Sequence, residues 1–169
     1  MSDRIYIIDA CALIDASKNY PLDKKTFQSI WEKISELFEQ NKLISSSEIL
    51  DEVKDKDLSD WLKLYKSNFL PLDEDIQRRT NEVLKQFPNI ININKNKKSN
   101  SNGDPFLIAT AIEKGGVIVT NEKNSINKIP YVSKFFNIET INLTQFIREI
   151  MDWKEIRIIH NVDLNLKNS

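Results

Sequence analysis

Four acidic residues occupy settings in which a carboxylate could do chemistry: Asp9 directly after an apolar run, Glu52 in an acidic helix, Asp104 directly before a proline, and Glu122 after a second apolar run. Each also has an ordinary structural explanation. Asp9 suits capping of the turn that follows it, and Asp104 suits an N-cap with proline at the first helical position. Glu52 shares a solvated acidic face with Glu48, Asp51, Asp55, Asp57 and Asp60, and Glu122 stands beside Lys123 in a loop. Gathered at one place, the four would repel one another, and at least one would titrate with a raised pKa as part of a coupled group. A hard divalent cation, Mg²⁺ or Mn²⁺, relieves that repulsion through oxygen ligands alone. A second reading makes Asp9 a nucleophile for phosphomonoester hydrolysis, although the residues after it, Ala10, Cys11 and Ala12, include no second aspartate.

The elements that must position these groups can be read from periodicity. Ile5 to Ile8 is a short β-branched run, predicted to be a central strand ending at Asp9. Phe27, Ile30, Trp31, Ile34, Leu37 and Phe38 form an amphipathic stripe, predicting a helix over 23–41 with Asp23 as its cap. Lys42 to Ser45 reads as a brief strand feeding a helix, with Ser45 and Glu48 at capping-box spacing. Two further amphipathic units follow, one through Leu58, Trp61, Leu62 and Tyr65 and one through Ile76, Thr80, Val83, Leu84 and Phe87, the latter set between Pro71 and Pro88. Residues 89–102 start Ile-rich, as a strand fragment or buried loop, and continue as an Asn, Ser and Lys loop. Asp104 and Pro105 open a helix that Gly115 and Gly116 end, Val117 to Thr120 is a second strand, Ile138 to Ile141 a weaker one, and Leu143 to Met151 a last helix. An edge strand through Ile156 to Ile159 is one reading of the tail. Strands alternating with helices predict an α/β domain with a mostly parallel sheet, whose ligands sit beyond the carboxyl ends of the strands.

Composition removes several alternatives. The chain has 169 residues, 29% of them charged, with a single cysteine, Cys11, and a single histidine, His160. That excludes an intramolecular disulfide, a Cys/His zinc site and any mechanism built on neighbouring imidazoles. Three glycines permit neither GxGxxG nor GxxxxGK[ST]. With 24 basic and 25 acidic residues the net charge is −1, unlike a general nucleic-acid coat protein. The charge is uneven: residues 48–60 hold six acids and two lysines, whereas Lys95, Lys97 and Lys98 stand together without an acid. These lysines, with Arg78 and Arg79, are candidate phosphate contacts, and a solvated surface is the ordinary alternative. The aromatic residues Phe27, Trp31, Phe38, Trp61, Tyr65, Phe87 and Phe146 fit buried helical faces, and Cys11 reads as a small buried residue. Neither a signal peptide nor a membrane span is expected, which makes a cytoplasmic protein the expectation.

Taken in order, the segments resemble the PIN-domain superfamily of metal-dependent nucleases, and within it a bacterial PIN-like group similar to VapC-type toxin ribonucleases and DUF4411-like chains. The resemblance places the first-strand aspartate at Asp9 in YIIDACALI, the helical glutamate at Glu52 in SSSEILDEV, and the third acid at Asp104 in GDPFLIATA. VIVTNE resembles a Thr-Asn-Asp strand end, with Thr120 and Asn121 matching and Glu122 at the aspartate position, and KIPYVSKFFNIETINLTQFI resembles the terminal portion of the subgroup. It implies a three-layer α/β/α sandwich as one domain over 1–169, with a core of about 4–151 and a tail over 152–169. It implies a metal site of Asp9, Glu52, Asp104 and Glu122, with Thr120 and Asn121 orienting a carboxylate or water. The implied activity is Mg²⁺- or Mn²⁺-dependent endoribonuclease, by in-line hydrolysis of RNA phosphodiester bonds. The implied partners are an RNA substrate, a cognate antitoxin protein and a second copy in a homodimer. A PIN-like module that binds RNA or protein without cleaving is the third reading, because Glu122 departs from the usual aspartate.

Overall fold

A computed structural model describes residues 3–91 and 104–151. Tyr6–Ile8 (β1) lies at the centre of a five-stranded sheet, flanked by Leu43–Ser46 (β2) and then Phe69–Leu70 (β3) on one side, and by Val117–Val119 (β4) and then Thr140–Ile141 (β5) on the other. All four strand pairs are parallel, with Tyr6 opposite both Leu43 and Val117. A strand buried on both faces reads as a continuous apolar run, and β1 and β4 are buried throughout. Parallel strands need crossover connections, and the chain supplies them as helices.

The crossovers from β1 to β2 and from β2 to β3 run through Ala10–Asn19 (α1), Gln28–Glu39 (α2), Ser47–Glu52 (α3) and Lys56–Lys63 (α4). The return to β4 and β5 runs through Glu74–Gln86 (α5), Asp104–Lys114 (α6) and Ile129–Phe135 (α7). Because strand order reverses at β1 and such crossovers are right-handed, the two sets cover opposite faces. Contacts agree, since α6 packs on α5 and α7, while α1 and α2 pack on Leu143–Ile150 (α8), the helix after β5. The result is the three-layer α/β/α sandwich with a parallel sheet that the sequence predicts.

Several local expectations are corrected. Between β1 and the predicted helix lies α1, which periodicity passed over because its inward face is three alanines and Leu13. The helix predicted over 23–41 begins at Gln28 after a 3₁₀ turn at Lys25–Phe27, and no side chain caps it. Asp23 instead approaches Lys24, both exposed. Ser46, not Ser45, caps α3 by accepting from Glu48 N–H, because Ser45 Oγ is drawn to the Ile8 carbonyl at 2.6 Å and ties β2 to β1. Ile90 is buried in a 3₁₀ turn over Pro88–Ile90 rather than in a strand. The remaining Asn, Ser and Lys loop and the tail strand through Ile156 to Ile159 lie outside the described residues. Neither the two-residue β3 nor α7 was anticipated.

The turn from α6 into β4 shows how tightly the central layer is set. Gly115 has φ +69°, and a Cβ there meets open space. At Gly116 a Cβ would collide with the Ile7 side chain and lie 2.8 Å from the Ile5 carbonyl oxygen. That oxygen cannot retreat, because Val117 N–H donates to it at 2.8 Å in the β1–β4 ladder. Gly116→Ala is therefore expected to lower the unfolding free energy by about 1–3 kcal/mol. Gly115→Ala should cost about 1 kcal/mol through backbone strain alone. Urea titration of the two variants checks the order, which equal losses would contradict.

Candidate functional site

The carboxyl edge of the sheet receives the ends of β1, β2 and β4. Asp9 follows β1 and is only 3% exposed. Its N–H extends the strand ladder to the Val119 carbonyl at 2.9 Å, while its side chain turns back to cap α1, Oδ1 accepting from Ala10 N–H at 2.8 Å. Oδ2 accepts from Thr120 Oγ1 and from Cys11 Sγ, each at 2.9 Å. Burial pushes the Asp9 carboxyl pKa up; the donors from Cys11, Thr120 and Ala10 oppose that shift, and the charge of Glu122 adds to it. Burial and the adjacent carboxylate also push the Cys11 thiol up, so it stays an S–H donor.

The β4 end supplies a linked set. Thr120 Oγ1 donates to Asp9 and accepts from Glu122 N–H at 3.2 Å. Asn121 Oδ1 accepts from Leu143 N–H at 2.9 Å and Nδ2 donates to Asp15 at 2.7 Å, so this side chain joins α8 to α1 across the edge. Glu122 Oε2 accepts from Ile129 N–H at 2.9 Å, with Lys128 Nζ 3.8 Å from Oε1. The extra methylene of glutamate thus reaches the first turn of α7, where Lys128 at the N-cap offers no side-chain cap.

The third and fourth acids arrive by different routes. Asp104 is the first residue of α6, with Pro105 beside it, and is 2% exposed. Since the far end of α6 feeds the start of β4 through Gly115 and Gly116, Asp104 must lie toward the carboxyl edge. Glu52 ends α3, which leaves the same edge after β2, and is half-buried. Arg79 pairs with Glu113 on α6 at 3.0 Å and with Glu82 at 3.2 Å, and Arg78 pairs with Asp75 at 2.6 Å. Glu113 stands nine residues along α6 from Asp104, about 14 Å by helical rise, so Arg79 sits toward the opposite end. Lys95, Lys97 and Lys98 lie outside the described residues.

The donor chemistry of this edge fits a hard divalent cation. Two almost fully buried carboxylates offer oxygen beside a thiol that remains protonated, and positive charge would offset the penalty that raises Asp9. The assembly is sparse: among the described residues, no three His, Cys, Asp or Glu side chains gather as a metal-holding group. Sequence reasoning did not find Cys11 and Asp15 as neighbours of this edge. Their spacing from Asp9, two and six residues into a helix, is the signal that recognising α1 would have supplied.

A family model described as a domain of unknown function, DUF4411, matches residues 6–154. The chain belongs to the DUF4411 family. No curated protein matches this DUF4411 chain. Among solved structures it is similar to VapBC2 from Rickettsia felis bound to a DNA fragment from their promoter, at 16% identity and TM-score 0.48, covering 82% of this chain and 98% of that one. It is also similar to FitAcB from Neisseria gonorrhoeae, at 12% identity and TM-score 0.46, covering 83% of this chain and 99% of that one. Among the described residues no helix is long and apolar enough to cross a membrane.

The raised Asp9 pKa has a measurable consequence for the metal-free DUF4411 chain. Folding favours the protonated carboxyl, so Asp9's contribution is complete below the ordinary aspartate range of about 4 and is lost as pH rises through its raised pKa. Asp9→Asn keeps the acceptor that caps α1 and removes the buried charge. In EDTA the variant should gain on wild type as pH rises from about 4 to 7, with a limiting slope of about 1.4 kcal/mol per pH unit. Urea midpoints across that range test it, and a pH-independent difference would contradict it.

Proposed function

We propose that this protein is a metal-dependent endoribonuclease that hydrolyses RNA phosphodiester bonds, with Mg²⁺ or Mn²⁺ held by Asp9 and Asp104 and assisted by Glu52 and Glu122. The observation that carries the proposal is the burial of two carboxylates, Asp9 at 3% and Asp104 at 2% exposure, on elements that both reach the carboxyl edge of the five-stranded parallel sheet. Burying carboxylates is costly, and a cation shared with a phosphate offsets that cost. When bound, the cation supplies an activated water and offsets charge developing on phosphate and leaving oxygen.

The chain's own residues set the rest. Thr120 positions the Asp9 carboxylate through its hydroxyl, and the Cys11 thiol holds the same oxygen from the helix side. Glu122 is shared with Ile129 N–H, so its charge reaches the site while its position is fixed by α7. Asn121 holds α1 and α8 against the β4 end and keeps the edge from spreading. Arg78, Arg79 and the lysines at 95, 97 and 98 are proposed phosphate contacts, which for the two arginines requires exchange of their present ion pairs. The toxin of a toxin–antitoxin pair, with a cognate antitoxin and a homodimer, is the role that the PIN resemblance supports, and a cytoplasmic location is proposed with it.

Cleavage of single-stranded RNA with Mg²⁺ or Mn²⁺ tests the proposal. EDTA should abolish cleavage, and Asp9→Asn and Asp104→Asn should each lower the rate by at least ~100-fold while remaining folded. Thr120→Val, which removes one donor to Asp9, should lower it roughly 10- to 100-fold. Persistent cleavage by both folded Asn variants contradicts the site. An inactive wild type across several RNAs favours the binding-module reading, which the absence of a three-ligand group among the described residues also supports.

A further inference from the structure

Helix α7 places two aromatic rings on the surface. Tyr131 is 43% exposed and Phe135, one turn further on the same face, is 58% exposed. Phe87, from the end of α5, makes a T-shaped contact with each, with ring centroids 6.2 Å from Tyr131 at 87° and 5.2 Å from Phe135 at 83°. Phe136 props Phe135 from another side at 5.1 Å and 77°. The rings are thus braced by T-shaped contacts while much of their surface stays open to solvent. Scattered single apolar residues on a surface are normal, but two adjacent braced rings form a patch.

The surroundings indicate what would cover that patch. The two rings and Phe87 line a surface cleft of about 370 Å³ together with Asn124 and Lys134. That lining holds one cation and no acid among the described residues, a charge balance suited to a polyanion with flat apolar groups. The cleft is also tied to the carboxylate edge. Ile129, the first residue of α7, donates its N–H to Glu122, whose charge acts on Asp9. Tyr131 and Phe135 lie two and six residues beyond Ile129, about 3 and 9 Å along the helix axis. A strand whose phosphate sits at the edge can therefore lay neighbouring bases along α7.

We infer that Tyr131 and Phe135 form a base-stacking subsite for single-stranded RNA beside the proposed cleavage site, with Lys134 at its rim. This rests on the ribonuclease reading of the adjacent carboxylates. Stacking on exposed rings tolerates any base and requires that bases be unpaired, so the subsite selects single strands over duplex without reading sequence.

The test is fluorescence anisotropy of a labelled RNA of about 12 nucleotides, single-stranded or annealed to its complement, bound to the full chain in EDTA. Wild type should prefer the single strand. Phe135→Ala and Tyr131→Ala should each weaken its binding roughly ten-fold, and Phe135→Leu should weaken it comparably because an aliphatic residue cannot stack. Phe135→Trp should retain affinity and show indole quenching by RNA. Wild-type affinity in both Ala variants, equal binding of duplex, or full affinity in Phe135→Leu overturns the inference. So does sedimentation in which Phe135→Ala separates a dimer while RNA affinity is unchanged, since the face then belongs to a second copy. Cleavage of the same RNA with Mn²⁺ is scored separately. No cleavage with the binding pattern intact contradicts the nuclease reading alone, and cleavage with unchanged binding by the Ala variants contradicts the subsite alone.

Discussion

A carboxylate only 3% exposed at the end of the central strand carries a desolvation cost, and the elements around it are arranged to offset that cost. Asp9 lies where β1 becomes α1, and a single side chain serves both the helix cap and the link to β4. Its neighbours are held in turn: Thr120 by the ladder to Ile141, Asn121 by α8 and Asp15, Glu122 by the first turn of α7. The hydrogen bonds lower the penalty but leave the pKa raised, because neutral donors do not replace the solvation of a full charge. The contacts that hold this edge together are therefore the same ones that set the charge state of Asp9.

Much of this was legible in the sequence, and the exceptions have physical causes. β1 and β4 were readable because strands buried on both faces leave an unbroken β-branched run. Asp9 and Glu122 were readable as the polar residues that end those runs. α1 was not, because Ala10, Ala12 and Ala16 bury little apolar surface and give a weak stripe. That omission concealed Cys11 and Asp15. β3 is two residues long, too short for any periodicity, and α7 carries its aromatic residues outward, against the usual sense of an amphipathic helix. The Ser45 capping box failed because the Ser45 hydroxyl is taken by the Ile8 carbonyl, which leaves Ser46 to cap α3.

Charge distribution follows the same division of labour. The total is near zero, yet the acids of 48–60 lie on and around α3 and α4, while Arg78 and Arg79 are already engaged on α5. Arg79 joins α5 to α6 through Glu113 and so helps hold the helix that begins with Asp104. Near-neutral net charge is therefore compatible with a polyanion partner, provided that recognition is local.

The central claim is that Asp9 and Asp104 hold a divalent cation together. Calorimetric titration of Mn²⁺ into the metal-free full chain tests it without requiring a substrate. The account predicts saturable binding to wild type that is lost in folded Asp9→Asn and in folded Asp104→Asn alike. Binding that survives in both variants, or no binding to wild type with or without a phosphodiester analogue, would contradict it.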